Sequence, residues 1–411
     1  MQTAAGMPRS RFMAWSRDAL QHFKTETLRG SPGYFRVGQT EAGQWWLLGP
    51  DDVPCFARAV NGVHGMGGSF QDPIARLRTW GFNALGVASA AALLDEGMPF
   101  VGTVGFLSVG PVIRAEGIKL PDVFAPDWRA AAEARASQVC SRMSHRRDLL
   151  GWLADDDLAW GGHKDKPTLL QVCLSLEPSF AAYHAAWEFV LAPHGGQLVR
   201  LAKAWGFPLE NKGVIREVTR AERSVGSMGH FRDDARWTRE FAQRYFTSTS
   251  SATRSHAPNH LIFGAANSAT DERSTGVSIW LVESMSAAVD VTWMDARDIR
   301  IAPSGPLFAG SFSWVEDSRP ALKQRRARAG GSTSIERMLR HGRASLRAII
   351  AHPSVIGYAW KSWRDHPSEQ PPFASGLVHV NDAEAREHTE LLADLNGRIS
   401  TLRPFALAFG S

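Results

Sequence analysis

Cysteine is rare in this sequence, and long apolar runs are absent. The 411 residues include three cysteines, Cys55, Cys140 and Cys173. An odd number in apolar contexts is typical of reduced core thiols, and it argues against a disulfide framework or a cysteine metal site. No run reaches the roughly 18 apolar residues of a membrane span, and the N-terminal segment MQTAAGMPRSRFMAW lacks the apolar core of a signal peptide. We therefore expect a cytoplasmic protein without a membrane partner, and an export signal removed from the chain is the alternative.

A strong charge of either sign is missing too. The formal net charge is +5, which is mild for this length, and no nucleic-acid-binding motif accompanies it, so we expect no nucleic-acid partner. Basic residues concentrate in RPALKQRRARAGG, residues 319–331, and in the next helical segment at Arg337, Arg340, Arg343 and Arg347. A solvated surface accounts for them, and attraction of an anionic substrate is the alternative. The histidines are scattered without the paired spacing of metal ligands, so no metal or organic cofactor is expected.

Tyrosine is scarce, with 4 residues, whereas tryptophan is abundant, with 15. An indole ring is a flat apolar platform with one N–H donor, which suits the C–H faces of sugars as well as protein cores. The tryptophan content is therefore compatible with a carbohydrate ligand and equally with a packed interior.

Short apolar segments alternate with helical patterns along most of the chain. This alternation predicts an α/β fold, the (β/α)8 TIM barrel. We expect residues 1–55 to form a helix and β-rich extension and residues 56–411 to form the barrel, with an insertion at about 162–235. A doubly wound open sheet is the rival fold, but residues 61–68 lack the G-x-G-x-x-G spacing of its phosphate turn. The predicted barrel strands are Phe56–Asn61, Ala84–Ala88, Phe100–Phe106, Leu150–Ala154, His260–Gly264, Val289–Trp293, Leu307–Ser311 and Val355–Trp360.

Polar and indole side chains follow several of these strands, and in a TIM barrel the C-terminal strand ends form the site. The fourth strand ends in Asp155, Asp156 and Asp157. Like charges this close raise the pKa of one carboxyl, which favours a proton donor near neutral pH. Helix capping and loop hydrogen bonds are the structural alternatives for these aspartates. The other candidates at strand ends are Asn61, His64, Trp160, Trp293, Asp295, Ser311, Trp314 and Trp360.

Several of these segments resemble the glycoside hydrolases of clan A, most closely the exo-β-agarase family. GQWWLLGPDDVPCFARAVNGV (43–63) is similar to the family's hairpin and first barrel strand, and RLRTWGFNALGV (76–87) to its Trp-Gly-Phe-Asn helix–strand segment. DLLGWLADDDLAWG (148–161) resembles the fourth strand, and GPLFAGSFSW (305–314) the seventh. The resemblance runs from about residue 34 to 398. It implies a TIM barrel that acts on an oligosaccharide or polysaccharide.

The resemblance also implies two catalytic glutamates, and both positions differ in this chain. The family's fourth strand ends in Asp-Asn-Glu, so the general acid/base position holds Asp157. The seventh strand carries Gly-Glu-Phe-Ser in the family, so the nucleophile position holds Ser311. A serine cannot form the glycosyl-carboxylate ester of a retaining enzyme, and without a partnered base it is a poor nucleophile.

Three explanations follow from these departures. In the first, an active glycosidase uses Asp157 as the general acid and Asp295 as the base that activates water, which is inverting chemistry. In the second, a catalytically silent barrel binds carbohydrate. In the third, Ser311 is a nucleophile replacement in a retaining glycosidase. We predict the first. The predicted sugar-stacking residues are Trp160, Trp293, Trp314 and Trp360, and the predicted hydroxyl-binding residues are Asn61, His64, Asp155 and Asp156.

Overall fold

The computed structural model describes residues 17–65, 71–115, 117–161, 166–266, 279–301, 304–315, 332–369 and 374–405. The basic segment 319–331 lies outside these residues. The strands are β1 Arg36–Gln39, β2 Trp45–Leu48, β3 Pro54–Cys55, β4 Ala57–Val60, β5 Ala84–Leu85, β6 Phe100–Thr103, β7 Val112–Ala115, β8 Ile118–Pro121, β9 Leu149–Leu153, β10 Ala159–Trp160, β11 Ile262–Gly264, β12 Thr292–Asp295, β13 Leu307–Phe312, β14 Val355–Trp360, β15 Ser362–Arg364 and β16 Gly376–Val378. The helices are α1 Gln71–Thr79, α2 Trp128–Met143, α3 Leu169–Ser175, α4 Ala181–Leu191, α5 Leu198–Trp205, α6 Gly213–Arg220, α7 Met228–His256, α8 Ile279–Ser286, α9 Ser332–Ala351, α10 Arg386–Gly397 and α11 Ile399–Leu402.

Eight strands form one sheet in the order β11-β9-β6-β5-β4-β14-β13-β12. Pairing within it is parallel, as between β6 and β9, β9 and β11, and β12 and β13. The two end strands of this order also meet, because the N–H groups of Asp290 and Val291 donate to the Ile262 carbonyl at 3.0 and 3.1 Å. The fold is a (β/α)8 barrel with a β-rich N-terminal extension, which confirms the predicted fold class.

Each predicted barrel strand overlaps one strand of this sheet. The sixth is displaced furthest, since Val289–Trp293 was expected and β12 begins at Thr292. Two consecutive N–H groups, those of Asp290 and Val291, share one carbonyl oxygen there. A regular ladder gives each donor its own acceptor, so the regular strand starts only after these residues.

The chain divides into two compact units. Unit 1 comprises Met1–Pro99 and Ser313–Ser411, and unit 2 comprises Phe100–Phe312. In unit 1 the N-terminal extension is the antiparallel sheet β1-β2-β3. The predicted boundary at residues 55/56 and the predicted insertion at about 162–235 stay predictions. Helices α3 to α6 and the start of α7 lie in the described part of that insertion.

Apolar side chains at i, i+4 spacing form the buried faces of two helices in unit 2. Trp128, Ala132 and Ala136 form the buried face of α2. The ladder of Trp237, Phe241 and Tyr245 is buried along α7, a helix of 29 residues whose N-cap Ser227 accepts a hydrogen bond from the N–H of His230. None of the helices in the described ranges combines the length and apolarity of a membrane span. The cytoplasmic location stays a prediction.

Glycines in the strands of unit 2 make room for large rings. A Cβ atom on Gly102 would lie 2.7 Å from the Trp152 ring, and one on Gly310 would lie 1.8 Å from Cε2 of Trp293. The Trp293 ring in turn stacks on Phe308, with centroids 4.8 Å apart and an interplanar angle of 10°. Indole rings therefore occupy the volume that the glycines on the neighbouring strand leave empty.

We predict that Gly310→Ala destabilises the protein by about 1–3 kcal/mol, because the added methyl overlaps a ring that is 3% exposed and has nowhere to move. Urea unfolding of both proteins measures the difference. The matched control is Gly397→Ala at the end of α10, where a Cβ meets nothing within 4 Å. Equal losses in the two variants would contradict the packing argument.

Candidate active site

The three aspartates lie just beyond β9 in unit 2, and backbone hydrogen bonds hold this segment beside β11. The N–H of Ala154 donates to the Gly264 carbonyl at 2.6 Å, and the N–H of Ala266 donates to the Asp155 carbonyl at 2.8 Å. The N–H of Leu158 then donates to the Ala266 carbonyl at 3.3 Å. The ladder thus continues past the last residue of the strand, which gives the aspartate backbone a defined path at the C-terminal end of β9.

Asp155 is buried, with 3% of its surface exposed. The Tyr245 hydroxyl donates to its Oδ2, and the N–H of Leu107 donates to its Oδ1 at 2.9 Å. Burial raises the pKa of Asp155 to about 7, and the negative charge of Asp156 adds to the rise, while these two hydrogen bonds oppose it. Asp155 is therefore a buried carboxyl that ties β9 to α7 and to the loop after β6. Its predicted role in binding hydroxyls stays a prediction.

Asp156 and Asp157, in contrast, are exposed. The Asp157 side chain is 52% exposed and forms an ion pair with Lys119 of β8. The lysine is in position because β8 pairs antiparallel with β10, and Lys119 lies opposite Ala159. The carboxylate at the predicted acid position therefore faces solvent beside a cation.

Asp295 and Ser311 are neighbours at the ends of adjacent strands. They are register partners in the parallel pair β12–β13, and both side chains are half-buried. Arg297 holds the Asp295 carboxylate with a fork, Nε to Oδ1 and Nη2 to Oδ2, both at 2.9 Å. A carboxylate thus lies one strand away from the predicted nucleophile position.

The two predicted sugar-stacking indoles of unit 2 differ in exposure. Trp160 is half-buried and stacks on Phe246, with ring centroids 6.1 Å apart. Its Nε1 atom is buried and makes no hydrogen bond within the described residues. Trp293 is 3% exposed and belongs to the ring stack described above. Of these two indoles, Trp160 is the one with exposed surface for a ligand.

The remaining candidates belong to unit 1. Asn61 is buried, and its Oδ1 accepts from the N–H of Val87 at 3.1 Å. His64 is exposed, with Nδ1 2.7 Å from the Gly62 carbonyl. Trp314 and Trp360 are both 0% exposed, with ring centroids 4.5 Å apart.

Both of these buried indoles use their N–H groups inside the protein. Trp314 donates to Nδ1 of His388 at 3.1 Å, and Trp360 donates to the Ser375 carbonyl at 2.8 Å. Neither ring presents a face to solvent, so their surroundings are those of core residues.

Sequence reasoning missed three residues of this site: Lys119, Tyr245 and Arg297. In the sequence, Tyr245 belongs to an apolar i, i+4 pattern with Trp237 and Phe241, and nothing in that pattern reveals that its hydroxyl reaches a carboxyl 90 positions away. Arg297 offered a signal, since it follows Asp295 by two residues. The glycine at position 117, between two short apolar segments, is also a sequence signal for the hairpin turn that brings Lys119 into place. In the described ranges, histidine, cysteine and carboxylate side chains do not gather into a group of three that suits a metal.

Comparison with solved structures extends the resemblance seen in the motifs. The protein named PfGH50B matches 92% of this chain with a TM-score of 0.65 at 16% identity, and 67% of its own chain is covered. An exo-β-agarase matches 92% of this chain with a TM-score of 0.64 at 15% identity, and 66% of its own chain is covered. A third, BpGH50, matches 94% with a TM-score of 0.64 at 12% identity, and 88% of its chain is covered.

This chain thus spans about two thirds of the length of the first two of these proteins. No family model matches the sequence, and no curated protein does. At these identities the likeness is one of fold. The resemblance to exo-β-agarases is confirmed at that level, and the chain has the fold of glycoside hydrolases.

We predict that the stability of the protein depends on pH through Asp155. The folded-state pKa of about 7 lies above the ordinary value of 3.8, so the folded protein binds a proton more tightly than the unfolded chain between these values. The free energy of unfolding therefore falls as pH rises from about 4 to 7, by on the order of 1 kcal/mol per pH unit from this group.

Urea unfolding at a series of pH values from about 4.5 to about 7.5 tests this dependence, because the series covers most of the interval between the ordinary and the shifted pKa. The Asp155→Asn variant should lose this part of the slope, because it carries no titrating group. The exposed Asp127 supplies the control, Asp127→Asn, which should keep the slope of the natural sequence. A slope that is unchanged in Asp155→Asn would refute the assignment.

Proposed function

We propose that this chain is a glycosidase that hydrolyses an oligosaccharide with inversion at the anomeric carbon. The observation that carries the proposal is the register pairing of Asp295 with Ser311 at the ends of β12 and β13. It supplies a carboxylate beside Ser311, the position where the resemblance to exo-β-agarases implies a glutamate nucleophile. In the proposed mechanism Asp157 is the general acid and Asp295 is the base.

The replacement of a glutamate by Ser311 is central to this mechanism. A serine side chain carries a hydroxyl where glutamate carries a methylene and a carboxylate, so we place the attacking water in the volume that the longer side chain would fill. Inverting glycosidases need such a water between the sugar and the base, and their two carboxyl groups are about 6.5–9.5 Å apart. The Ser311 hydroxyl is able to donate to or accept from that water. Asp295 removes a proton from the water as its oxygen bonds to the anomeric carbon, while the glycosidic C–O bond breaks and Asp157 protonates the departing oxygen.

Asp157 has the exposure that a general acid requires, because half of its side chain is open to a ligand. Proton donation also requires a protonated carboxyl, so Lys119 has to leave Asp157 when the saccharide binds. The exposed Asp156 and the half-buried Trp160 are the proposed contacts to hydroxyl groups and to a sugar face. The fully buried Trp314 and Trp360 are left out of this set.

A second function, carbohydrate binding without turnover, is favoured by one observation. Both predicted catalytic carboxylates already have a cation as partner: Asp157 has Lys119, and Asp295 has the Arg297 fork. Carboxylates held in this way are good acceptors for sugar hydroxyls, and they bind without any proton transfer. Because fold does not determine chemistry, turnover has to be measured.

We predict that Asp157→Asn lowers kcat by at least about 100-fold on whichever oligosaccharide the protein hydrolyses, which is the usual contribution of a general acid. Oligomers of agar, glucan, galactan and uronate form the substrate panel, and proton NMR of the first-formed product reports its anomeric configuration. Asp127→Asn serves as the matched carboxylate control and should keep full activity. Retention of configuration would overturn the inverting mechanism. Saccharide binding by calorimetry, with no turnover by the natural sequence, would establish the second function instead.

We also predict that Ser311→Glu abolishes hydrolysis while saccharide binding changes by less than about threefold. The longer side chain fills the volume assigned to the attacking water, and it is too near the sugar to serve as a distant base. Ser311→Ala is the companion variant, and it should keep measurable turnover because it leaves the space open. An increase in turnover with retention of the anomeric configuration in Ser311→Glu would show that the site uses double displacement. The proposal that a water molecule beside Ser311 attacks the sugar would then be wrong.

A further inference from the structure

Unit 1 contains a cavity of about 290 Å³ at the N-terminal ends of β4 and β5, the opposite ends of these strands from those that carry sites in TIM barrels. Much of its wall is apolar and comes from Trp46, Phe56, Ile399 and Phe405. Two arginine side chains, Arg58 and Arg403, also line it. Two cations in an apolar cavity are unusual, because burial of a charge is costly unless a partner compensates it.

Arg403 is compensated by carbonyl groups. It is 1% exposed, and its Nη1 donates to the carbonyls of Ile350 and His352 at 2.9 and 2.7 Å. Its Nη2 donates to the Trp45 carbonyl, and the guanidinium lies over the Trp46 ring at 4.9 Å from the centroid. This arginine joins β2 to the segment before β14, so its guanidinium is already occupied by contacts within the protein.

Arg58 has no comparable set of partners. It is 7% exposed, and its backbone N–H donates to Oδ1 of Asn83 at 2.7 Å. Across the described ranges its guanidinium has neither an ion pair nor a hydrogen bond, and its Nε is a buried donor without an acceptor. Burial lowers the pKa of Arg58, because the charged guanidinium is removed from water and has no negatively charged partner in compensation.

The other titratable groups near Arg58 do not supply the missing negative charge. Burial raises the pKa of the Cys55 thiol to about 12, so this group is neutral. The pKa of the Tyr358 hydroxyl is raised as well, and this hydroxyl donates to Asn396 at 2.7 Å. Asp51 is the carboxylate in the cavity wall, but it is exposed, and its Oδ1 accepts from the N–H of Val53 at 3.3 Å. Because carbonyl groups already compensate Arg403, the guanidinium of Arg58 leaves one positive charge for a ligand to balance.

We infer that this cavity is a binding site for a small organic monocarboxylate with an apolar body, held by the guanidinium of Arg58. A guanidinium fork matches the two oxygens of a carboxylate. The charge balance of the cavity calls for a monoanion, and its aromatic and aliphatic walls suit a ring or short alkyl chain. The volume is that of a small ligand site and too small for a saccharide chain. The inference is independent of the proposed glycosidase function, because all of these lining residues belong to unit 1.

Calorimetric titration with benzoate, and with benzyl alcohol as the neutral analogue of similar shape, tests the site. Benzoate should bind and raise the unfolding temperature, and benzyl alcohol should bind at least tenfold more weakly. Arg58→Met removes the charge and keeps most of the volume, and it should weaken benzoate binding at least tenfold. The matched control is Arg78→Met on the exposed face of α1, which should bind benzoate as the natural sequence does.

A second variant keeps both cavity arginines. Ser400→Phe places a ring into the cavity wall at an exposed residue and should block benzoate while the protein stays folded. Equal benzoate affinity in the natural sequence and Arg58→Met would overturn the inference. So would equal binding of benzoate and benzyl alcohol, or no measurable benzoate binding by the folded natural sequence at millimolar concentration.

Discussion

The geometry of the candidate site depends on the hydrogen bonds that the Asp155 carboxyl accepts. This carboxyl is buried at the end of β9 and accepts one hydrogen bond from α7, through Tyr245, and another from the loop after β6, through Leu107. A buried carboxyl without these donors would be strongly destabilising. The end of β9, α7 and the loop after β6 are therefore held in the arrangement in which both donors reach the carboxyl. The exposed Asp156 and Asp157 follow directly in the chain, and their positions are set by a residue that is itself enclosed.

The fold was predictable because its signals are local. Alternating apolar segments of strand length and helical stripes such as that of Trp237, Phe241 and Tyr245 depend on nearest neighbours in the sequence, and tertiary packing agreed with them. The sixth strand is the instructive exception. Its start depends on how Asp290 and Val291 share the Ile262 carbonyl, a contact made with another strand, and no local pattern encodes it.

The candidate site was less predictable, for a physical reason. Residue type and sequence position predicted that Asp157, Asp295 and Ser311 lie near the ends of β9, β12 and β13, and the strand bounds agree with that placement. Their catalytic roles stay predictions. Residue type and sequence position do not indicate burial or pairing. Trp314 and Trp360 have the same sequence signature as a ligand-binding indole, yet both are enclosed. The cation partners Lys119 and Arg297 depend on a hairpin turn and on a side-chain rotamer, which become definite only in three dimensions.

The glycines that face large rings in unit 2 have a consequence for how this sequence can diverge. Gly102 with Trp152, and Gly310 with Trp293, each divide one fixed volume between two positions on neighbouring strands. A larger residue at one position is tolerated only together with a smaller residue at the other. Such pairs change together or not at all, so homologues should show correlated exchanges at 102 and 152 and at 310 and 293, while surface positions drift independently.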